Sequence, residues 1–258
     1  MLLERLATDF DQNMQRLLAD CAADKPCSTE YPKLNDQLAA LLKRVEKAPE
    51  KTTVRFNGKD LPVEVDYETL VTTLRFQMYS VFSAATLPRQ IAAAAEGDLS
   101  GIANSALQTT LQLHNLVAEG LWASVICSEE APYIETDSAG RRAAATMMGN
   151  RRVLSTQLIC EDWPRSAIPE DFNRPVQADH PVLLLAGEWD VASPPDLGAK
   201  AAKTLPNGTF VEVKARSHWG ISGSCVDGLV RQFVEQGSVA DLDASCAAKF
   251  ERPPFVSR

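Results

Sequence analysis

The sequence predicts an α/β protein whose C-terminal third contains a small parallel sheet. Val182–Ala186 is a continuous apolar run, as expected for a central strand of a parallel sheet covered on both faces. Thr209–Lys214 alternates as a second strand, and helical patterns follow each strand, over Pro194–Leu205 and Ser224–Glu235. Strand, helix, strand, helix in this order indicates βαβ units with right-handed parallel pairing.

The composition is that of an ordinary globular protein with one large domain or two small ones. The chain has 258 residues, of which 45% are apolar and 23% charged. Its net charge of −8 argues against a nucleic-acid or anionic-membrane partner, since both need a basic face. No apolar run approaches the roughly 18–20 residues that span a bilayer. Charged residues near the N-terminus argue against an export signal within these residues.

The N-terminal part of the chain is predicted to be helical, with one hairpin. Apolar residues three or four apart predict amphipathic helices over 2–18 and 34–47, joined by a looped, hairpin-like element over 21–27. Asn57-Gly58 lies between two alternating segments in 52–65, the strongest short-range hairpin signal. Pro62 restricts the second of these strands to a sheet edge.

The middle of the chain is predicted to contain further helices without strands. Residues 67–125 indicate several short helices, interrupted by a turn at Gly97-Asp98. A polar helix is predicted near 138–157, followed by a proline-rich loop from Cys160 to Pro175. We find no internal repeat and no low-complexity tract.

Six cysteines favour three disulfides. Of the 15 possible connectivities, consecutive pairing (Cys21–Cys27, Cys127–Cys160, Cys225–Cys246) is the simplest. Such bridges persist in oxidising compartments. The alternative is six reduced thiols buried as small hydrophobic groups. No spacing resembles a C-x-x-C metal or redox site, and we expect neither a metal nor a cofactor.

Asp190 and His218 are the candidate catalytic residues. Gly187 allows a sharp turn off the first strand, so that Asp190 stands at the strand's C-terminal edge, where open α/β sheets hold their ligands. His218 follows the next strand after a short loop, and Gly220 would permit close packing there. An acid fixed near a histidine sets the imidazole tautomer and stabilises its charged form. Either residue on its own would be interpreted as an ordinary surface-turn or helix-cap residue.

Other candidates are weaker. Glu129 and Glu130 follow Cys127-Ser128 and are either a solvated acidic turn or a partner for a cationic substrate group. Asp196 complements a helix dipole. His180 precedes a proline and is interpreted as a linker residue, and His114 as a side chain of the 103–119 helix.

The chain resembles the C-terminal region of tripeptidyl-aminopeptidase-like α/β-hydrolases, relatives of proline iminopeptidase. The resemblance is most specific over 180–255. The residues that carry it are Pro181–Asp190, Pro194-Pro195, Ser217-His218-Trp219-Gly220, Cys225 and the closing segment from Cys246 to Pro253-Pro254-Phe255. Cys21–Cys27 and Leu87-Pro88-Arg89-Gln90-Ile91 with Gly97-Asp98 resemble the family's helical cap, and Cys127-Ser128-Glu129 the return from cap to core.

This resemblance implies a partial α/β-hydrolase fold with a mostly helical cap. A core-to-cap helix and cysteine loop would occupy 1–30, the cap 31–126, and the C-terminal part of the core 127–258. The implied activity is release of short peptides from a free N-terminus, or esterase activity in some members. Asp190 would be the triad acid and His218 the base, and Glu129 or Glu130 would hold the substrate amine. The complete protein would be periplasmic or secreted.

The sequence departs from the family in lacking a nucleophile motif. A G-x-S-x-G elbow should lie upstream of the acid, but none is present, and Gly220-Ile-Ser222-Gly223 has the wrong spacing and lies after His218. We therefore expect a C-terminal portion of a longer serine hydrolase, inactive alone, whose N-terminal half carries the serine. The alternatives are a non-catalytic peptide-binding protein, or a separate chain that donates the nucleophile.

Overall fold

A computed structural model describes residues 2–134 and 136–257. The chain divides into two compact units. A helical unit comprises Met1–Gln77, Ala85–Ile168 and Phe255–Arg258, and a sheet unit comprises Met78–Ala84 and Pro169–Pro254. The candidate acid and base both belong to the sheet unit.

The described residues form the following helices and strands, in chain order: α1 (Leu2–Ala23), α2 (Lys25–Glu30), α3 (Leu34–Lys47), β1 (Glu50–Phe56), β2 (Lys59–Val65), α4 (Tyr67–Gln77), α5 (Val81–Ala84), α6 (Leu87–Ala95), α7 (Ser100–Leu116), α8 (Glu119–Glu129), α9 (Thr136–Ala144), α10 (Arg151–Asp162), β3 (Val182–Gly187), α11 (Pro195–Ala202), β4 (Gly208–Val213) and α12 (Ser224–Gln236). Two short 3₁₀ helices lie at Ala131–Tyr133 and Ser245–Lys249.

The first helix confirms the amphipathic prediction but extends further than expected. Phe10, Met14 and Leu17 are fully buried along one stripe of α1, which continues to Ala23 and so includes Cys21. The looped, hairpin-like element predicted over 21–27 is therefore wrong. Asp24 separates α1 from α2 and caps the N-terminus of α2, where its carboxylate accepts a hydrogen bond from Cys27 N–H at 2.8 Å. The two helices are therefore joined by a single residue.

The predicted hairpin is confirmed. β1 and β2 pair antiparallel with Phe56 opposite Lys59, and Asn57 and Gly58 both have positive φ, +49° and +77°. This is the pattern of a type I′ turn. The pair forms a two-stranded sheet, in which Pro62 occupies an edge strand as predicted.

The short helices predicted over 67–125 are confirmed, whereas the single polar helix predicted near 138–157 is wrong. That segment forms two helices, α9 and α10, separated by turns that close between Ala143 and Gly149. Gly149 has φ +60°, which a helix cannot continue through.

The sheet unit contains the predicted parallel pair. β3 and β4 pair in parallel register from Val182 with Gly208 to Gly187 with Val213. Val213 and Leu229 belong to the core that α12 forms against one face of the sheet. Gly237 ends α12 in the left-handed conformation, as predicted.

The expectation that Val182–Ala186 is covered on both faces is wrong for this chain. Leu183, Leu184 and Leu185 are only partly buried. Among the described residues the sheet has two strands, so β3 has a single hydrogen-bonded neighbour and too little structure around it to enclose both faces.

The six cysteines form the three predicted disulfides. Cys21 is bonded to Cys27, Cys127 to Cys160 and Cys225 to Cys246. These three bonds fit a secreted or extracellular protein. Over the described ranges, none of the helices combines the length and apolar character that a membrane crossing requires.

Candidate functional site

The acid and histidine loops leave the sheet at the same edge. The β3–β4 register ends with Gly187 opposite Val213. The ladder continues beyond the strands through Glu188 N–H to Val213 O at 3.0 Å and Trp189 N–H to Arg216 O at 2.8 Å. Because both strands are parallel, Asp190 and His218 follow at their common C-terminal edge.

Gly187 lets the two loops approach each other. A Cβ at this position would lie 2.6 Å from Arg216 O and 2.8 Å from Ser217 O, which are immovable backbone atoms. Close packing was instead predicted for Gly220, and that prediction is wrong. A Cβ built at Gly220 would have no atom within 4 Å. The glycine is instead suited to its backbone φ of +83°, which other residues rarely adopt.

The Asp190 carboxylate is buried and accepts three hydrogen bonds. Oδ1 accepts from Ala192 N–H at 2.7 Å and from Ser193 N–H at 2.8 Å, and Oδ2 lies 3.0 Å from His218 Nδ1. Burial raises the pKa of Asp190, but the hydrogen bonds from His218, Ser193 and Ala192 outweigh it and hold the pKa below its ordinary value. The carboxylate is therefore ionised at neutral pH.

An ionised carboxylate fixes the histidine tautomer. It can only accept, so His218 Nδ1 must carry the proton that it donates to Asp190. In the neutral imidazole this leaves Nε2 with the lone pair. The imidazole is 36% exposed, and among the described residues no hydrogen-bonding group contacts Nε2. Such a histidine can accept a proton at Nε2.

Ser193 lies beside this pair but not in the position of a nucleophile. Its Oγ is 3.4 Å from His218 Nδ1, the same nitrogen that faces Asp190. A nucleophilic hydroxyl must instead face Nε2. Sequence reasoning missed Ser193. A serine three residues after an aspartate is the local signal, since the aspartate readily accepts from that N–H.

The histidine loop is anchored to Met78–Ala84, a segment distant in sequence. The buried Ser217 Oγ lies 2.6 Å from Met78 O and 2.8 Å from Trp189 O. Trp219 N–H donates to Tyr79 O, and the Tyr79 ring packs edge-on against the His218 ring at 4.9 Å. Sequence reasoning missed these anchors, because no local pattern joins residues 139 positions apart.

The remaining candidates belong to other elements of the fold than the acid and histidine loops. Glu129 ends α8 and Glu130 follows it, both half-buried in the helical unit. His114, in the last turn of α7, and His180, before β3, are exposed, and Asp196 lies in the first turn of α11. The six cysteines are disulfide-bonded and cannot act as thiolate ligands or nucleophiles. Within the described residues, no three His, Cys, Asp or Glu side chains are arranged to hold a metal.

The sequence region that contains both loops is similar to a known protein family. Residues 145–246, which include Asp190 and His218, match a family model of the α/β-hydrolases described as TAP-like protein. No match to the chain was found among curated proteins. The family match suggests a hydrolase, and the mixed fold with its small parallel sheet is compatible with part of an α/β-hydrolase. Residues 145–246 are thus similar to the TAP-like α/β-hydrolases, in agreement with the resemblance seen in the sequence.

Proposed function

We propose that this chain supplies the acid and the base of a Ser-His-Asp triad in a tripeptidyl-aminopeptidase-like peptidase. The observation that carries the proposal is the pair formed by buried Asp190 and half-exposed His218, with Oδ2 and Nδ1 3.0 Å apart. The pair lies at the C-terminal edge of a parallel sheet, inside the region that matches the family.

In this mechanism His218 acts as general base and then general acid. Its Nε2 takes the proton of a serine hydroxyl as the oxygen attacks the scissile carbonyl, and later returns that proton to the leaving amine. Asp190 holds the Nδ1–H tautomer and stabilises the imidazolium that forms. Water then hydrolyses the acyl-enzyme by the same proton relay.

The nucleophile in this proposal comes from polypeptide outside these 258 residues. The sequence contains no G-x-S-x-G, and Ser193 faces the wrong nitrogen of His218. The two-stranded sheet of the described residues also lacks the central strand that would carry such an elbow. The oxyanion hole, built from backbone near that elbow, would come from the same missing part.

The helical unit would serve as the cap that shapes the substrate pocket. Its α8 ends at Glu129 and Glu130, carboxylates that we assign to the free α-amine of a short peptide substrate, with a small ester as the alternative substrate. The three disulfides support a periplasmic or secreted location for the complete protein.

The test compares this chain with a version extended upstream along its own reading frame. Both are assayed with a tripeptidyl p-nitroanilide and a p-nitrophenyl ester. The chain alone should give background rates, and the extended polypeptide should turn over substrate. His218→Ala and Asp190→Asn should each lower kcat by about 10⁴-fold. His114→Ala, which alters an exposed histidine of α7, is the matched control and should change nothing.

Two results would contradict the proposal. Turnover by the chain alone that His218→Ala abolishes would show that the nucleophile lies within these residues. An extended polypeptide without a G-x-S-x-G, or one that binds the peptide without cleaving it, would favour the non-catalytic binding protein.

A further inference from the structure

The helical unit contains a large, partly open cavity that is lined by none of the residues assigned to the proposed hydrolysis. Its volume is about 750 Å³, within the range of roughly 300–1,000 Å³ typical of small-molecule sites. Residues from α4, α8 and α10 line it, together with neighbouring loop and helix positions. Asp190, His218, Glu129 and Glu130 do not line it.

Aromatic and aliphatic side chains make up most of the cavity lining. Tyr67, Phe76, Trp122 and Trp163 are the aromatic members, and the aliphatic members include Val71. Rings of this size offer broad apolar faces for a flat or extended hydrocarbon body. The wall therefore favours a ligand with an aromatic or otherwise apolar body.

The charges on the wall favour an anion. Three arginines line the cavity, Arg75, Arg151 and Arg152, against two carboxylates, Glu68 and Glu119. The cavity thus carries an excess of positive charge in a chain whose net charge is −8. Arg75 is 7% exposed, so one of these guanidinium groups is held in a largely water-excluded environment, where its attraction for an anion is strengthened.

Aromatic rings position the other two guanidinium groups. Arg152 lies over the Trp122 ring at 4.7 Å, and Arg151 lies over the Tyr67 ring at 5.4 Å. Stacking engages the face of a guanidinium, whereas its N–H groups point outward in the plane and match a carboxylate. The cavity wall therefore has cationic groups directly beside aromatic rings. This arrangement suits a ligand that has an apolar body and an anionic end.

We infer that this cavity binds a small carboxylate with an aromatic or apolar body. The rings hold the body by apolar contact, and the arginines hold the carboxylate by charge-assisted hydrogen bonds. The inference concerns the helical unit alone and does not depend on hydrolysis.

The test uses 2-naphthoate as probe and 2-naphthamide as its neutral counterpart of the same shape. Isothermal titration calorimetry of the 258-residue chain should show saturable, one-to-one binding of naphthoate. Naphthamide should bind at least tenfold more weakly, because it has no negative charge to pair with a guanidinium and only one oxygen to accept its hydrogen bonds. Equal affinity for the two probes, or no binding of naphthoate at 5 mM, roughly the weak limit for a small ligand, would overturn the inference.

Two variants test the site itself. Arg152→Gln removes an exposed cation and should weaken naphthoate about tenfold. Gly120→Leu places a side chain beside Trp163, since a Cβ there would lie 3.9 Å from the ring, an ordinary contact, and the added bulk should block binding. Arg55→Gln, in the exposed hairpin, is the matched control and should bind as the parent does.

Thermal unfolding shows that each variant is folded. If Arg152→Gln and Gly120→Leu are folded and bind naphthoate as well as the Arg55→Gln control, naphthoate binds elsewhere and the inference is wrong.

Discussion

At the scale of single residues, the candidate site depends on how Asp190 is held. Two backbone N–H groups fix Oδ1, which leaves Oδ2 directed at His218 Nδ1. The carboxylate is 3% exposed, and a buried anion without such donors would be costly. The same bonds that keep Asp190 charged therefore also set the direction in which it orients the imidazole.

We predict that Asp190→Asn reverses the tautomer of His218. The asparagine oxygen can keep the bonds from Ala192 and Ser193, so its NH₂ group faces Nδ1 and turns that nitrogen into an acceptor. Imidazole ¹⁵N shifts of the neutral histidine should then change from the Nδ1–H to the Nε2–H pattern. The chain has three histidines, which makes the assignment practical.

Ser193→Ala is the control for this experiment. It removes the hydroxyl 3.4 Å from Nδ1 but keeps the backbone N–H that binds Asp190. The Nδ1–H tautomer should persist in this variant. An Nε2–H pattern in the parent chain would contradict the proposed role of Asp190.

At the scale of elements, the site depends on two parallel strands whose loops meet over Gly187. The register that pairs Gly187 with Val213 brings both loops to one edge, and the missing side chain lets the Arg216–Ser217 backbone pass close by. The position of the histidine loop is therefore coupled to one glycine of β3.

We predict that Gly187→Ala destabilises the chain by about 3 kcal/mol or more, because its Cβ would collide with two backbone carbonyl oxygens in a packed region. Gly228→Ala, in the interior of α12, is the matched control, since no atom lies within 4 Å of its Cβ position. It should stabilise the chain by about 0.5–1 kcal/mol. Urea unfolding measures both changes, and equal effects would contradict this view of the loop crossing.

Elements with a local signal could be predicted from the sequence. The Asn57-Gly58 pair determines the turn type of the hairpin. Gly237 ends α12 because glycine readily adopts the left-handed conformation that this position requires. Errors arose where two signals competed. Cysteine spacing suggested a loop at Cys21, but the helical stripe continued through it, and Gly149 divided a segment whose polar pattern looked uniform.

The same distinction applies to the site. Asp190 and His218 could be found because each follows a recognisable strand, and parallel pairing brings strand ends together. The anchoring of Ser217 to Met78 could not, because the two residues are far apart in sequence and meet only through tertiary packing. Ser193 was overlooked because a serine in a turn is common.

At the scale of the whole molecule, each disulfide stays within one unit. Cys21–Cys27 and Cys127–Cys160 lie in the helical unit, and Cys225–Cys246 lies in the sheet unit. They close loops of 6, 33 and 21 residues, for which loop-closure entropy predicts stabilisations of about 2, 4 and 3 kcal/mol. Each unit is therefore stabilised by its own cross-links.

Buried or hydrogen-bonded carboxylates also make each unit sensitive to acid. The hydrogen bond from Thr69 N–H lowers the pKa of Asp66 in the helical unit, and the pKa of Asp190 is lowered in the sheet unit. A lowered pKa means that the folded state favours the ionised form. The stability that such a group contributes is present above its ordinary pKa of 3.8 and is lost as the pH falls through the folded value.

We predict that the Asp190→Asn variant loses less folding stability at low pH than the parent chain does. At pH 7 the variant should be less stable by about 2–3 kcal/mol, because its hydrogen bonds to Ala192, Ser193 and His218 are no longer charge-assisted. Between pH 5 and pH 2 the parent chain loses the stability that ionised Asp190 contributes, because the carboxylate becomes protonated. The variant has no such contribution to lose, so the unfolding free energies of the two proteins should converge. Urea unfolding at pH 7, 5, 3 and 2 measures this, with Asp60→Asn in the exposed hairpin as the control that should follow the parent. A constant difference at all four values would mean that Asp190 stabilises the fold by packing and not as an anion.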